Sequence, residues 1–141
     1  MNLYTVSYTS SAIRFPTAQD FKYLLLRARA RNEKEAVTGV LLYADGTFHQ
    51  YIEGPAAGVD RVYAAILRDP LHHDIFELIR EPIKRREFAQ WSMAYPSVRP
   101  DAGDASMAQL HEMLCDESAR LTPGRLLLNA FWTKGLARGF S

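Results

Sequence analysis

The sequence predicts an α+β domain: a ferredoxin-like βαββαββ sheet with two helices on one face and a C-terminal helical pair on the other. Three observations lead there. Two apolar, β-branched runs flank Ala44-Asp45-Gly46, and Asp-Gly between such runs is a strong hairpin signal. On each side of the hairpin stands a helical pattern with a strand pattern beyond it, so the order is strand, helix, strand, strand, helix, strand, strand. Two crossovers around a hairpin make this mixed sheet, with both helices on one side. Its other face needs a cover, and the apolar periodicity of the C-terminal residues supplies helices for it.

Leu3 to Thr9 alternates, with Tyr4, Val6 and Tyr8 on one side and Leu3, Thr5 and Ser7 on the other, which is a strand. Phe15-Pro16-Thr17 opens a helix, with Thr17 as N-cap and Asp20 at N3. That helix runs to about Arg31 on a buried stripe of Phe21, Leu24, Leu25 and Ala28. Arg27, Arg29 and Arg31 fall in its last turns, where cations suit the dipole; they read as a solvated face or as an anion site. Asn32 follows, and alone it reads as a C-cap or turn residue. Val40-Leu41-Leu42-Tyr43 is apolar on both faces and is expected in mid-sheet. The returning strand, Thr47 to Glu53, puts Phe48, Gln50 and Ile52 on one face.

A second helix is expected over roughly Ala57 to Arg68, on Val59, Val62, Tyr63, Ile66 and Leu67, and Asp69-Pro70 stops it. Ile75 to Ile79 is the next strand, and Lys84-Arg85-Arg86 reads as a solvated turn. Ala89 to Tyr95 is the last strand, with Trp91, Met93 and Tyr95 on a common face. Pro96 to Asp104 has linker composition. A helix carrying Met107, Leu110, His111 and Leu114 follows, and Pro123 starts another on Leu126, Leu127, Ala130 and Phe131. Residues 1–98 are therefore the sheet unit, and residues 99–141 a linker and helical extension of the same compact body.

The 141 residues suit one domain, and 48% hydrophobic with 23% charged residues is ordinary globular composition. A net charge of +1 argues against direct nucleic-acid binding, which needs a concentrated basic surface. The single cysteine, Cys115, excludes an internal disulfide and suits a reducing cytoplasm; it reads as a buried helix residue. No apolar run reaches the ~20 residues of a membrane span, and no signal-peptide pattern opens the chain. His72-His73 has no Cys or Glu-x-x-His partner, so no metal site is expected.

Gln50 is the odd member of its face. A buried amide without partners costs about 1–3 kcal/mol, so something polar has to lie over it. The topology brings Tyr8 and Gln50 close on the helical side, and Tyr8, Asn32, Gln50, Trp91 and Met93 are expected to converge there. Taken singly, Tyr8, Trp91 and Met93 read as core residues. Together, two amides and a phenol beside aliphatic walls suit a flat ligand with polar edges.

These residues resemble a known family, the BLUF blue-light photoreceptor domains, which use FAD. The resemblance covers about Leu3 to Pro96. It is strongest in Val37–Gly54 (the family's TG-LLY-DG-F-Q-EGP pattern, continuing to Pro55), in Arg68-Asp69-Pro70 with His72, and in Phe88 to Met93 around Trp91-Ser92-Met93. Tyr8 and Asn32 fall where the family has its flavin-contacting tyrosine and asparagine. The resemblance implies a flavin ring between the two helices, walled by Leu24 and Ile66, with Asn32 at its pyrimidine edge and Gln50 between Tyr8 and the ring. Arg68, Asp69 and His72, with Arg27 or Arg31 nearby, are the implied contacts of the ribityl and phosphate end. Leu71 stands where many members carry arginine, which leaves FMN or riboflavin as alternatives to FAD.

The implied activity is light sensing without catalytic turnover. Excited flavin takes an electron from Tyr8, Gln50 reorients or tautomerises, and a new hydrogen bond to the flavin shifts its absorption to the red. Trp91 and Met93 then exchange between pocket and surface, passing the change to Pro96 onward. No enzyme module follows Asp104, so the expected partner is a separate effector, such as a cyclic-nucleotide or cyclic-dinucleotide enzyme or a transcription regulator, or a second copy in a homo-oligomer. Phe131, Trp132 and Phe140 either present that surface or seal the sheet. Two other readings stay open: an acyl- or phosphoryl-hydrolase on the same scaffold, using an arginine and Asn32, and a binding module that is not photosensory.

Overall fold

The structure is a computed structural model that describes residues 2–13, 17–44, 46–97, 105–114 and 122–138. Asp45, Phe15-Pro16, Cys115, Phe140 and most of the Pro96–Asp104 linker lie outside the described residues.

Four strands pair in the order β2-β3-β1-β4, all antiparallel: β1 (Leu3–Ala12), β2 (Thr38–Ala44), β3 (Thr47–Pro55) and β4 (His72–Ile83). Helices α1 (Ala18–Lys34) and α2 (Ala56–Leu67) form the two crossovers, so the ferredoxin-like plan holds. Thr17 caps α1 as the sequence predicts. Its side chain accepts from Asp20 N–H while the Asp20 carboxylate takes Thr17 N–H, a reciprocal capping box.

Two features differ from the expectation. β2 is buried on both faces but stands at an edge of the four-strand ladder, not in its middle. Residues 89–95 form no strand. They run beside β2 as an irregular segment with one parallel bridge, Val40 to Ala94, fixed by Gly39 N–H to Trp91 O at 3.1 Å, Leu41 N–H to Ala94 O at 2.8 Å and Ala94 N–H to Gly39 O at 2.9 Å. That parallel bridge, which covers the edge of β2, is what remains of the expected last strand and of the expected mixed sheet, the four-strand ladder being antiparallel throughout. Gly39 is needed there, because a Cβ would stand 2.1 Å from the Tyr51 carbonyl oxygen.

Burial divides the core by sheet face. On the α1/α2 side, Val6, Tyr8, Leu25, Ala28, Leu41, Phe48, Ile52, Val59, Val62, Ile66 and Met93 pack together. On the other side, Val40, Leu42, Tyr51, Phe88, Leu128 and Trp132 form a second cluster under α3 (Met107–Leu114) and α4 (Pro123–Arg138). Short strands β5 (Pro96–Ser97) and β6 (Ala105–Ser106) pair in parallel before α3. The buried stripe of α4 is Leu128 and Trp132, with Phe131 half-buried, while Leu126 is 49% exposed. The expected stripe was misphased because Leu126-Leu127-Leu128 offers a leucine to three successive directions. Trp132, fully buried, seals the sheet and presents no surface. On α2, Leu67 likewise faces outward at 53% exposure.

β3 serves both clusters by alternation. Phe48, Gln50 and Ile52 face α1 and α2; His49, Tyr51 and Glu53 face α4.

Candidate functional site

Antiparallel pairing sets Tyr8 directly opposite Gln50, with both side chains turned toward α1 and α2. The Tyr8 hydroxyl donates to Gln50 Oε1, and Gln50 Nε2 donates to the Met93 thioether at 3.6 Å. Tyr8 is 2% exposed and Gln50 5%. Burial pushes the phenol pKa well above its ordinary value, so Tyr8 keeps its proton.

These groups stand at the floor of a narrow cleft between α1 and α2 that opens to solvent. Leu24 and Ala28 of α1 and Ile66 of α2 form apolar walls, with Leu41 and Phe48 beneath. Arg27, Arg31, Asp69 and His72 supply the polar lining. Few polar groups set in apolar walls is the usual make-up of a small-molecule site.

Asn32 does not cap α1. It is inside the helix, fully buried, and its Nδ2 donates to the Ser92 carbonyl at 2.6 Å. Asn32 Oδ1 and Arg31 Nε are buried polar atoms without a partner among the described residues. Burial also holds the Arg31 guanidinium below its ordinary pKa. Each orphan costs about 1–3 kcal/mol, which a ligand with donors and acceptors at its edge offsets. Arg27 meets Asp69 at 3.6 Å, and Asp69 Oδ1 accepts the Leu71 N–H at 2.9 Å, so the loop after α2 is fixed at the cleft mouth.

Other predicted residues take different places. Trp91 is not beside Gln50. Its ring stacks on Phe88 at 6.4 Å and joins the cluster under α4, so Trp91 and Met93 lie on opposite faces rather than a common one. The irregular course of residues 89–95 breaks the alternation that grouped them. Arg68 caps α2 with its backbone and is exposed, outside the cleft lining. His72 lines the cleft with both nitrogens engaged: Nε2–H donates to the Ile66 carbonyl at 3.1 Å, so in the neutral ring Nδ1 accepts from the Ser10 hydroxyl at 2.6 Å.

Four polar groups escaped the sequence reading. Glu53 is fully buried, His49 and Arg125 nearly so, and Arg86 is anything but a solvated turn residue. Its guanidinium donates to Ala36 O at 2.6 Å and to Thr38 Oγ1 at 3.0 Å. The one available signal was alternation in β3, which puts His49 and Glu53 on the face that the C-terminal helices cover.

The family pattern described as BLUF, sensors of blue-light using FAD, matches residues 3–94. Among characterised proteins, the photoactivated adenylate cyclase subunit beta of Euglena longa is 35% identical over 92 residues, which is 64% of this chain and 11% of that protein. The chain thus spans about a tenth of the length of that cyclase relative. BlrB, a BLUF protein in its dark state, superposes with a TM-score of 0.66 at 28% identity, covering 97% of this chain and 91% of its own. Klebsiella pneumoniae BlrP1 with FMN and cyclic diGMP superposes with a TM-score of 0.74 at 28% identity, over 94% of this chain and 35% of that one.

Proposed function

Since the chain belongs to the BLUF family of flavin-binding blue-light sensors, we propose that it is a photoreceptor domain in which Tyr8 and Gln50 convert light into a hydrogen-bond rearrangement. The observation that carries this is the Tyr8–Gln50–Met93 chain at the base of an apolar cleft.

The residues present fit a flavin. Leu24 and Ile66 would wall its ring, the orphaned Asn32 Oδ1 and Arg31 Nε would take polar atoms of it, and Arg27, Asp69 and His72 line the same cleft and would hold its tail. A bound flavin, with FAD expected and FMN the alternative, supplies the blue-light chromophore and, once excited, an electron acceptor.

Tyr8 is the electron donor. Among the described residues its phenolic proton has one hydrogen-bonded route, to Gln50 Oε1, and an electron and proton given up by Tyr8 would both have to come back for the starting state to be restored. Gln50 holds two bonds in this orientation; turning its amide over ends the donation to Met93 Sδ and obliges the Tyr8 hydroxyl to accept from Nε2 where it now donates to Oε1, a change of about 1 kcal/mol for each bond. A turned or tautomerised amide would therefore persist only where its N–H group gains a new acceptor, which a bound flavin would supply. A difference of about 2 kcal/mol shifts a two-state neighbour roughly thirtyfold, enough to switch Met93 without unfolding anything.

The signal then passes to an effector protein. Relatives include a photoactivated adenylate cyclase subunit and a blue light-regulated antirepressor, and the structure of BlrP1 holds cyclic diGMP; we propose a partner of one of those classes, reached in the cytoplasm by a homo-oligomer of this chain. A hydrolase on this scaffold would use Asn32 to orient water, but its amide nitrogen is committed to Ser92.

The test is the flavin band of the purified protein. Blue light should shift it to the red, with recovery in the dark. Tyr8→Phe and Gln50→Leu should keep the flavin and lose the shift; a normal photocycle in either variant removes the proposed wiring.

A further inference from the structure

The photoreceptor reading uses one face of β3. The other carries a buried carboxylate that reading leaves idle. Glu53 is fully buried, and both of its oxygens are saturated. Oε1 accepts from the backbone N–H of Glu87 at 2.7 Å and from the Tyr51 hydroxyl at 3.2 Å. Oε2 accepts from the N–H of Phe88 at 2.8 Å and from Thr38 Oγ1 at 2.9 Å. Burial raises the Glu53 pKa, and the N–H groups of Glu87 and Phe88 with the Thr38 and Tyr51 hydroxyls pull it back down; the two backbone N–H groups can only donate, so the carboxyl oxygens they reach must stay acceptors.

Glu53 thus grips the start of the segment whose far end touches the switch. Residues 86–94 begin with Arg86, bonded to Ala36 O and Thr38 Oγ1, and end where Ser92 O accepts from Asn32, Met93 O from Arg29 Nε at 3.0 Å, and Met93 Sδ from Gln50. The groups that Glu53 arranges are also those on which the first turn of α4 sits. Arg125 forms an ion pair with Glu87 at 3.2 Å, both side chains being no more than 15% exposed, and donates to the Met113 carbonyl. Its guanidinium lies 6.0 Å from the centre of the Phe88 ring. Gly124 rests on Tyr51 so closely that a Cβ would come within 2.5 Å of the ring.

We propose that Glu53 is a positioning residue: by fixing the backbone of Glu87 and Phe88, it makes residues 86–94 a lever that carries the state of Gln50 and Met93 to Arg125 at the first turn of α4. The lever rests on the photosensory reading and deepens it. The route leaves through Glu87, not only forward through Pro96. A change at Met93 moves a short segment pinned at both ends, and the Glu87–Arg125 pair is the outlet of that movement.

The test uses the full flavin-loaded chain with three readouts in light and dark: the flavin red shift, the 13C-methyl signal of Met93, and the indole 15N–1H signal of Trp132 on α4, whose N–H donates to His111 at 3.1 Å. The unmodified protein should show all three changes. Glu53→Gln should keep the red shift while the Trp132 response falls about fivefold or more, the scale of a lost coupling. Arg125→Met, at the end of the lever and remote from the cleft, should keep both the red shift and the Met93 response and lose that of Trp132. It decides the matter alone if Glu53→Gln does not fold. A full Trp132 response in either variant, or none in unmodified protein that does shift, overturns the lever. Absence of the red shift from unmodified protein removes the photosensory reading and the lever together.

Discussion

His49→Gln should remove most of one acid-sensitive contribution to stability. His49 is 2% exposed between the sheet and α4, its Nε2 hydrogen-bonded with Ser7 Oγ at 3.0 Å and its ring 5.2 Å from that of Phe131. No carboxylate is among those contacts, so burial alone acts and lowers its pKa from 6.5 to about 4. In the unfolded chain the ring takes a proton below about pH 6.5, whereas the folded protein refuses it until about pH 4. Acidification across that window favours the unfolded state. The contribution is complete above the unfolded pKa and is lost as pH falls toward the folded one. At about 1.4 kcal/mol per pH unit the whole window amounts to about 3 kcal/mol, of which about 2 to 3 kcal/mol is gone by about pH 4.5. Glutamine offers Ser7 an amide partner and does not titrate. Urea unfolding of the flavin-loaded protein, followed by circular dichroism from neutral pH to about pH 4.5, gives both curves, and the carboxylates common to the two proteins cancel in the difference. The stability of the variant relative to the parent should rise by about 2 to 3 kcal/mol on acidification. Parallel curves would refute the idea that this imidazole is held neutral by burial.

Three further outcomes bear on the site. Asn32→Ala removes a buried amide that ties α1 to Ser92, and flavin should bind about tenfold more weakly or worse, read from fluorescence released on dilution; undiminished retention would exclude a holding role. Gly39→Ala drives a methyl group into the Tyr51 carbonyl oxygen, so backbone must move, and the melting midpoint should fall by about 10 °C on a cost of about 3 kcal/mol; a midpoint unchanged in calorimetry would contradict the close approach. Trp91→Phe should leave the flavin red shift at full size, while Met93→Leu, which deletes the sulfur acceptor of Gln50, should alter its size or its dark recovery. The opposite pattern in a light-minus-dark spectrum would put Trp91 back in the pocket.

The hairpin and both crossover helices were legible in the sequence because each rests on local pattern, and the Tyr8–Gln50 juxtaposition because the order of those elements sets β1 beside β3. The Asp-Gly turn sets the β2–β3 register, and alternation sets the face. Over residues 89–95 Trp-Ser-Met-Ala-Tyr alternates like a strand, whereas in the fold only Gly39 and Leu41 of β2 pair with the segment and side chains of α1, Asn32 and Arg29, take the Ser92 and Met93 carbonyls. Propensity carries no record of such long-range partners. Glu53 was invisible for a related reason. A glutamate near the end of a strand reads as solvated until Tyr51, Thr38 and two backbone N–H groups are seen to converge on it, and those donors come from three different stretches of chain. Asn32 was assigned to a turn because helix ends are set only to within a residue or two by local signals, and α1 continues two residues beyond it.

Because neighbouring residues of β3 serve opposite sides of the sheet, a one-residue slip in its pairing would bring His49 against the helices that should receive Gln50 and leave Glu53 inverted with them. The tight bend holding Gly46 at a φ of 78° is therefore the molecule's indexing mark. A residue added to the hairpin and taken up by β3 in place of the turn would exchange the face toward α1 and α2 with the face toward α4 and would have to break the pairing with β1 as well as that with β2. Length at that bend is constrained as tightly as chemistry in the cleft.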